Sequence, residues 1–132
     1  LILGGKIPDS EGSYYPITML SGVVPGMPAF NEEIFGPVFT VISAEDDGHA
    51  IELANQTEFG LGSAIFTQNI EKGEEIAKTK MQSGACFVND FVKSDPRLPF
   101  GGIKMSGYGR ELSDYGMMEF VNIKTIVVKS TN

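Results

Sequence analysis

Three strand-like segments alternate with two helix-like segments between residues 38 and 89, and this order constrains the fold more than any other feature. The predicted strands are Val38–Ser43, Leu61–Thr67 and Ala85–Asn89, which are rich in apolar and β-branched residues. Short connections join them to the helices. Strands that alternate with helices in this way are typical of parallel, right-handed α/β units. We therefore predict an α/β fold with parallel strands.

Both predicted helices begin at polar residues that can cap free backbone N–H groups. Asp46 or Asp47 is the candidate cap of the first helix, and Asn69 is the candidate cap of the second. Along the second helix, apolar residues recur at helical spacing on one side and charged residues cover the other. Gly84 stands where a C-terminal cap glycine would end that helix.

Four flanking segments complete the predicted elements. Leu1–Leu3 reads as a buried strand, which predicts a fragment that begins inside a domain, and Tyr14–Leu20 reads as another strand. Arg110–Glu119 is predicted as a helix and Val121–Lys129 as a terminal strand with apolar residues on both faces. Because a long strand without a hairpin partner is an exposed edge unless something covers it, we expect another subunit to pair with it in a homo-oligomer.

Composition limits the possible partners. A net charge of −7 and a pI near 4.6 argue against a nucleic-acid or membrane partner, because binding phosphates requires clustered Lys and Arg. No apolar run approaches the length of a membrane span. The single cysteine excludes an intrachain disulfide and fits a reducing compartment, so we predict a cytoplasmic protein.

The stretch Asn89–Glu111 is long and irregular but contains too many large apolar residues for a disordered linker. We predict an ordered loop that lines a site. Its glycine-rich part, GGIKMSGYGRE, invites comparison with a phosphate-binding loop, but it matches neither GxxxxGK[ST] nor GxGxxG. A structural turn that positions the following helix is the favoured interpretation.

Cys86 and His49 are the residues most easily mistaken for catalytic groups. Cys86 lies inside an apolar strand, where a free cysteine packs as a small hydrophobic side chain, and nothing in the sequence places His49 near it. One histidine without a CxxC or HExxH pattern makes no metal site, so we predict none.

Glu33 and Phe35 form the most informative small pattern. Glu32 and Glu33 could be solvated surface, and the pattern alone does not decide between this and a functional role. Phe35, however, precedes the rigid pair Gly36–Pro37, and a carboxylate lies two residues before it. A carboxylate accepts hydrogen bonds from vicinal hydroxyls and an aromatic ring packs on a planar base, so the pair could hold a sugar and a ring together.

Two long motifs carry a family resemblance. EEIFGPV at Glu32–Val38 and PFGGIKMSGYGRE at Pro99–Glu111 resemble the C-terminal part of the aldehyde dehydrogenase superfamily, and FGLGSAIFT, SGACFVN and KTIVVK follow in the family's order. The segment NDFVKSDPRLPFGG is most similar to succinate-semialdehyde dehydrogenases and related enzymes that act on short aldehydes. The resemblance covers essentially the whole chain.

This resemblance implies an enzyme that oxidises an aldehyde to an acid with NAD or NADP. Residues 1–120 would belong to the catalytic domain and residues 121–132 to an oligomerisation tail. The family's nucleophilic cysteine, its water-activating glutamate and its dinucleotide-binding fold would lie upstream of Leu1. The chain alone is therefore expected to be inactive.

The resemblance also implies roles for individual residues. Family members use the glutamate that matches Glu33 to bind the nicotinamide ribose, and the phenylalanine that matches Phe35 contacts the nicotinamide end. The stretch that matches residues 89–100 lines the aldehyde entrance. The substrate-binding candidates are therefore Phe91, Ser94, Arg97 and Phe100, and Ser94 or Arg97 could recognise a substrate carboxylate.

Two alternatives to a dehydrogenase remain at this point. The chain could be a non-catalytic module that mainly contributes an oligomer interface through Val121–Lys129. It could also be an independent domain that binds a small molecule through its glycine-rich loop.

Overall fold

A computed structural model describes residues 1–130, which belong to two compact units, Leu1–Glu58 and Phe59–Asn132. The first unit contains the elements β1 (Thr18–Ser21), α1 (Pro28–Asn31), β2 (Val38–Val41) and α2 (Asp47–Asn55). The second contains β3 (Phe59–Gly60), β4 (Gly62–Ile65), α3 (Ile70–Thr79), β5 (Ala85–Val88), β6 (Ile103–Lys104) and α4 (Ser113–Met118). None of the described helices is long and apolar enough to cross a bilayer.

Parallel pairing organises both units, as the strand–helix alternation predicts. In the first unit β1 pairs with β2, with Thr18 opposite Val38. In the second unit β4 pairs with β5, with Gly62 opposite Ala85, and α3 connects these strands and packs against β5. The short strands β3 and β6 form a separate antiparallel pair. The prediction of a mixed α/β fold with parallel strands is confirmed.

The two central helices begin at the predicted caps. The Asp46 carboxylate accepts a hydrogen bond from the backbone N–H of His49 at 2.8 Å, and the Asn69 side chain accepts one from Lys72 at 3.0 Å. On the exposed face of α3, Lys78 and Glu74 form an i,i+4 ion pair at 2.8 Å.

The chain start differs from its prediction. Leu1–Leu3 is exposed rather than buried and forms only an isolated antiparallel bridge, in which Leu3 pairs with Met19. The predicted strand Tyr14–Leu20 begins only at Thr18. The amide of Thr18 bonds to the carbonyl of Pro37, which starts the parallel ladder at that point.

The last helix is shorter than predicted. The helix is predicted to start at Arg110 but begins at Ser113, because its N-cap residue Leu112 has a φ of 65°, outside the right-handed helical region. Before it, Glu111 exchanges two backbone hydrogen bonds with Phe100.

The predicted terminal strand Val121–Lys129 has no strand partner within the described part of the chain. Its residues lack regular secondary structure, and apolar side chains such as Ile123 and Val128 are 82% and 87% exposed. Thr131 and Asn132, which belong to the predicted tail, lie outside the described residues. An extended segment becomes a strand only when a neighbouring strand pairs with it, and no strand within residues 1–130 pairs with this segment.

Gly84 has a different role from the predicted helix cap. Helix α3 ends five residues earlier, with Lys80 at its C-cap position. A Cβ atom on Gly84 would overlap the carbonyl oxygen of Gly101, so only glycine lets the backbone of the long loop lie against the start of β5. The Gly84 amide also donates to the carbonyl of Gly60 at 2.9 Å.

We predict that Gly84→Ala lowers the free energy of unfolding by about 1–3 kcal/mol, because backbone must move to admit the methyl group. Gly36→Ala is the matched control, since its Cβ would lie 3.9 Å from the nearest atom and its φ is not positive. Thermal unfolding of the purified protein measures both. Equal midpoints for the two variants would contradict the proposed close approach.

Candidate functional site

The Gly36–Pro37 turn is held by backbone hydrogen bonds on both sides. The amide of Val38 donates to the carbonyl of Gly36 at 2.7 Å, and the amide of Thr18 donates to the carbonyl of Pro37 at 2.9 Å. Proline fixes its own φ and so stiffens the turn. The ladder between β1 and β2 therefore determines where the residues before Pro37 lie.

Phe35 projects from this turn in a conformation that side-chain-bearing residues seldom adopt. Its φ is 50° and its side chain is 92% exposed. A left-handed φ on a non-glycine residue costs about 1–3 kcal/mol, and such residues cluster at ligand-binding sites. The turn thus presents an aromatic ring with both faces open to a planar ligand.

Glu33 lies between this turn and helix α1. The helix ends at Asn31, and the amide of Glu32 donates to the carbonyl of Pro28 at 2.8 Å. Glu33 is exposed, and its carboxylate forms no hydrogen bond or ion pair with any residue in the range 1–130. Both of its oxygens are available as acceptors for ligand hydroxyl groups.

In the second unit, Asn89 anchors the start of the long loop. Its side-chain oxygen accepts from the amide of Thr67 at 2.8 Å, and its side-chain nitrogen donates to the carbonyl of Thr67 at 2.8 Å. Its backbone φ of 56° turns the chain away from β5. Sequence reasoning missed this role, although asparagine tolerates the left-handed region better than most residues do.

Phe91 and Ser94 occupy the outer part of the loop. The ring of Phe91 is 76% exposed and lies 5.7 Å from the ring of Phe66, centroid to centroid, at an interplanar angle of 58°. This tilted aromatic contact connects the loop to the end of β4. Ser94 is exposed next to Asp95.

Arg97 is held by Asp95 within the same loop. Its Nε donates to Oδ1 of Asp95 at 2.9 Å and its Nη2 donates to Oδ2 at 2.6 Å. These side-chain hydrogen bonds lower the pKa of Asp95 below its ordinary value. The hydrogen bond from the Arg97 amide lowers it further, and the charge of Lys93 makes a smaller contribution in the same direction. The same pairing raises the pKa of Arg97.

Phe100 lines a cavity of about 260 Å³ at the edge of β5. Its backbone is fixed by the two bonds to Glu111, and the cavity wall includes Cys86, Lys93 and Leu98. Cys86 is half-buried in β5 and paired in register with Ser63. That position fits the packing role predicted for this cysteine.

Arg97 lines a different and larger cleft of about 570 Å³, with Glu111, Leu112 and Asp114 among its neighbours. The four predicted substrate residues thus share one loop but do not converge on one cavity within the second unit. Phe100 and Arg97 face separate spaces, and Phe91 and Ser94 line neither.

The glycine-rich segment uses its backbone for packing. A Cβ on Gly101 would lie 2.5 Å from the carbonyl oxygen of Gly109, and Arg110 donates from Nη1 to the carbonyls of Gly102 and Gly109 at 2.8 Å each. These contacts fit a structural turn better than a phosphate-binding loop. Residues 1–130 contain no group of three potential metal ligands.

Residues 1–126 match the sequence profile of the Aldehyde dehydrogenase family. The chain is 48% identical over 126 residues to the succinate semialdehyde dehydrogenase (NAD(P)+) Sad of Escherichia coli strain K12, covering 96% of this chain and 27% of that protein.

Two crystal structures are similar in fold. The succinic semialdehyde dehydrogenase of Streptococcus pyogenes in complex with NADP+ superposes with a TM-score of 0.90 at 41% identity, over 97% of this chain and 28% of that one. An aldehyde dehydrogenase of Mycobacterium tuberculosis complexed with NAD+ gives a TM-score of 0.84 at 34% identity, over 90% and 25%. The chain spans about a quarter of the length of these relatives.

We predict that the Asp95 carboxyl titrates below the ordinary aspartate value of 3.8. Because its folded pKa is lowered, its contribution to stability is present above pH 3.8 and is lost as the pH falls through the folded pKa. Arg97→Gln should raise this pKa, as measured by NMR of the side-chain carboxyl carbon. Lys78→Gln is the control, and it should raise the pKa of Glu74 alone.

Proposed function

Since the chain belongs to the aldehyde dehydrogenase family, we propose that it acts as the C-terminal part of a longer NAD(P)-dependent enzyme. This enzyme oxidises a short aldehyde, succinate semialdehyde, to its carboxylic acid. The observation that supports the proposal most directly is the exposed Glu33 carboxylate, which has no partner within residues 1–130, two positions before Phe35. Phe35 has a left-handed backbone conformation and an exposed ring.

In the complete enzyme, a cysteine thiolate from polypeptide outside this chain attacks the aldehyde carbon. NAD or NADP, when bound, would supply the acceptor for the hydride that leaves the thiohemiacetal carbon, and water would then cleave the C–S bond of the resulting thioester to give the acid and restore the thiol. Cys86 takes no part in this chemistry, because it lies within the paired strand β5. The chain alone is inactive, and aldehyde-dependent coenzyme reduction by the isolated chain would contradict this.

Glu33 and Phe35 would bind the ribose and nicotinamide half of the coenzyme. The two available oxygens of Glu33 accept hydrogen bonds from the vicinal ribose hydroxyls, and such bonds to a charged acceptor contribute about 1.5–3 kcal/mol each. The Phe35 ring would supply an apolar surface for the nicotinamide end. Because backbone hydrogen bonds hold the Gly36–Pro37 turn, less backbone ordering would be needed when the ligand binds.

The loop that begins at Asn89 would line the aldehyde entrance. In the complete enzyme, Phe91 or Phe100 would contribute an apolar contact along this entrance, and Ser94 or Arg97 would be the candidate for binding a substrate carboxylate. Because Phe100 and Arg97 line separate cavities in the second unit, one short substrate would contact one of these two residues and not both. A guanidinium matches a carboxylate in shape and charge, whereas a serine hydroxyl offers one donor. This division of roles fits a substrate with an aldehyde at one end and a charge at the other.

We also propose that the tail Val121–Lys129 pairs with a second subunit in a homo-oligomer in the cytoplasm. Its exposed apolar residues on both faces and its unused backbone groups in the described range favour a neighbouring strand as partner. The exposed tail would equally favour an oligomerisation module without enzymatic function. Loss of coenzyme affinity in Glu33 variants of the complete enzyme would distinguish the dehydrogenase from such a module.

For the coenzyme site, we expect Glu33→Gln in the complete enzyme to reduce kcat/KM for NAD or NADP about tenfold or more, because the hydroxyl groups lose a charged acceptor. Glu32→Gln is the matched control, an exposed carboxylate one residue away. Steady-state kinetics with a folded-state check by circular dichroism measure the difference. Cys86→Ala should keep most of the activity. Equal losses for Glu32→Gln and Glu33→Gln would refute the assignment.

For the tail, we expect deletion of residues 121–132 to shift the complete enzyme toward smaller assemblies, because the pairing edge is removed. Size-exclusion chromatography with light scattering gives the mass directly. As a control, changing the polar residues Asn122 and Lys124 to Ser keeps the backbone edge and should leave the mass unchanged. An unaltered mass after the deletion would rule out this interface.

A further inference from the structure

Thr18, the first residue of β1, is the single buried polar side chain within residues 1–130, with 3% of its surface exposed. Its hydroxyl accepts a hydrogen bond from the Gly5 amide at 2.9 Å and donates one to the Pro16 carbonyl at 3.0 Å. The one hydrogen that a hydroxyl can donate is therefore used. The side chain bridges two stretches of backbone, and both would lose a partner if the hydroxyl were removed.

The segment before β1 approaches Thr18 so closely that position 4 requires glycine. Gly4 has a φ of 72°, and a Cβ on it would lie 2.6 Å from Oγ1 of Thr18 and 2.2 Å from the carbonyl oxygen of Ile17. The next residue of β1, Met19, donates from its amide to the carbonyl of Leu3 at 3.0 Å. This segment thus packs along one edge of β1, and the Thr18 hydroxyl is a side-chain contact that holds it there.

The backbone of Thr18 binds the turn on the opposite edge of β1. Its amide donates to the carbonyl of Pro37 at 2.9 Å. The bond from the Val38 amide to the Gly36 carbonyl encloses one residue, Pro37, and so forms a γ-turn. Proline suits the centre of such a turn because its φ is fixed at about −65°. Thr18 therefore connects the segment before β1 to the Gly36–Pro37 turn.

The two proposed coenzyme-binding side chains depend on this turn for their position. Phe35 lies two residues before Pro37, and its ring is 92% exposed, so packing against the protein does little to hold it. Glu33 is exposed as well. A displacement of the turn would therefore move both side chains relative to a ligand that is held elsewhere.

We propose that Thr18 is a positioning residue for coenzyme binding. Its buried hydroxyl fixes the start of β1, where its amide holds the carbonyl of Pro37. The turn then places Glu33 and Phe35 against the ribose and nicotinamide. The inference rests on the proposed function, in which these two side chains bind that half of the coenzyme, and Thr18 acts through the backbone without touching the ligand.

The test measures dissociation constants in the complete enzyme by calorimetry for two ligands, NAD and ADP. ADP shares the adenosine half of the coenzyme but lacks the nicotinamide and its ribose. Thr18→Val keeps the shape of the side chain and removes the hydroxyl. We expect the dissociation constant of NAD to rise about three- to tenfold, as the loss of one or two ordinary hydrogen bonds allows, with that of ADP unchanged. For an enzyme that prefers NADP, the two ligands are NADP and ADP with the same additional phosphate.

Two variants separate positioning from a general loss of structure. Thr18→Ser keeps the hydroxyl and should bind NAD as the unchanged enzyme does. Thr40→Val removes another half-buried hydroxyl of the first unit, which donates to the Ala29 carbonyl at 3.4 Å, and should leave both dissociation constants unchanged. Should Thr18→Val not fold, Thr18→Ala and Thr18→Ser provide the same comparison, because these two side chains differ by the hydroxyl alone.

Glu33→Gln, measured with the same two ligands, distinguishes the inference from the proposed function. It should weaken the binding of NAD and leave that of ADP unchanged. If it affected neither ligand, the coenzyme site would be wrongly assigned and the inference would fail with it. If Glu33→Gln weakened NAD binding alone, the inference by itself would be overturned by a Thr18→Val variant that changed neither affinity or both equally. A Thr18→Ser variant as weak as Thr18→Val would also overturn it.

Discussion

Parallel strand pairing is the constraint on which both units depend. Each unit is built around one two-stranded parallel ladder, and parallel sheets in folded proteins are covered on both faces. Here α3 packs against β5, but Phe39 and Val41 of β2 remain 58% and 46% exposed. Within residues 1–130, Val23 is the single buried apolar side chain. The exposed apolar side chains of β2 are the physical reason to propose that further polypeptide covers the first ladder.

The same ladders make the candidate site rigid without placing it inside them. The proposed coenzyme-binding residues, Glu33 and Phe35, lie shortly before β2, next to a turn that is connected to β1 by the hydrogen bond from the Thr18 amide to the Pro37 carbonyl. The long loop begins at Asn89, directly after β5. The Asn89 side chain forms two hydrogen bonds with the backbone of Thr67, just beyond the end of β4. Backbone hydrogen bonds at strand ends therefore hold the backbone beside the candidate residues, whose side chains stay exposed. A strained residue such as Phe35 persists only where its surroundings are fixed in this way.

Patterns with local physical causes could be predicted from the sequence. Helices α2 and α3 each depend on a side-chain cap, Asp46 or Asn69, and on apolar residues at helical spacing. Both features can be recognised within a short stretch of sequence. The close approach of Gly84 to Gly101 could not be predicted, because it joins residues seventeen positions apart and resembles a helix cap in sequence. The ion pair between Asp95 and Arg97 could not be predicted for another reason. Both residues are evident in the sequence, but whether two exposed charged side chains bind each other or solvent depends on the conformation of the loop.

The proposed function depends above all on Glu33 and Phe35 holding the ribose and nicotinamide half of the coenzyme. A crystal structure of the complete enzyme with NAD or NADP tests it most directly, through the distance from the Glu33 carboxylate to the ribose hydroxyl oxygens. We expect hydrogen bonds of about 2.5–3.0 Å, with the Phe35 ring within about 4.5 Å of the nicotinamide end. A bound dinucleotide that contacts neither side chain would contradict it.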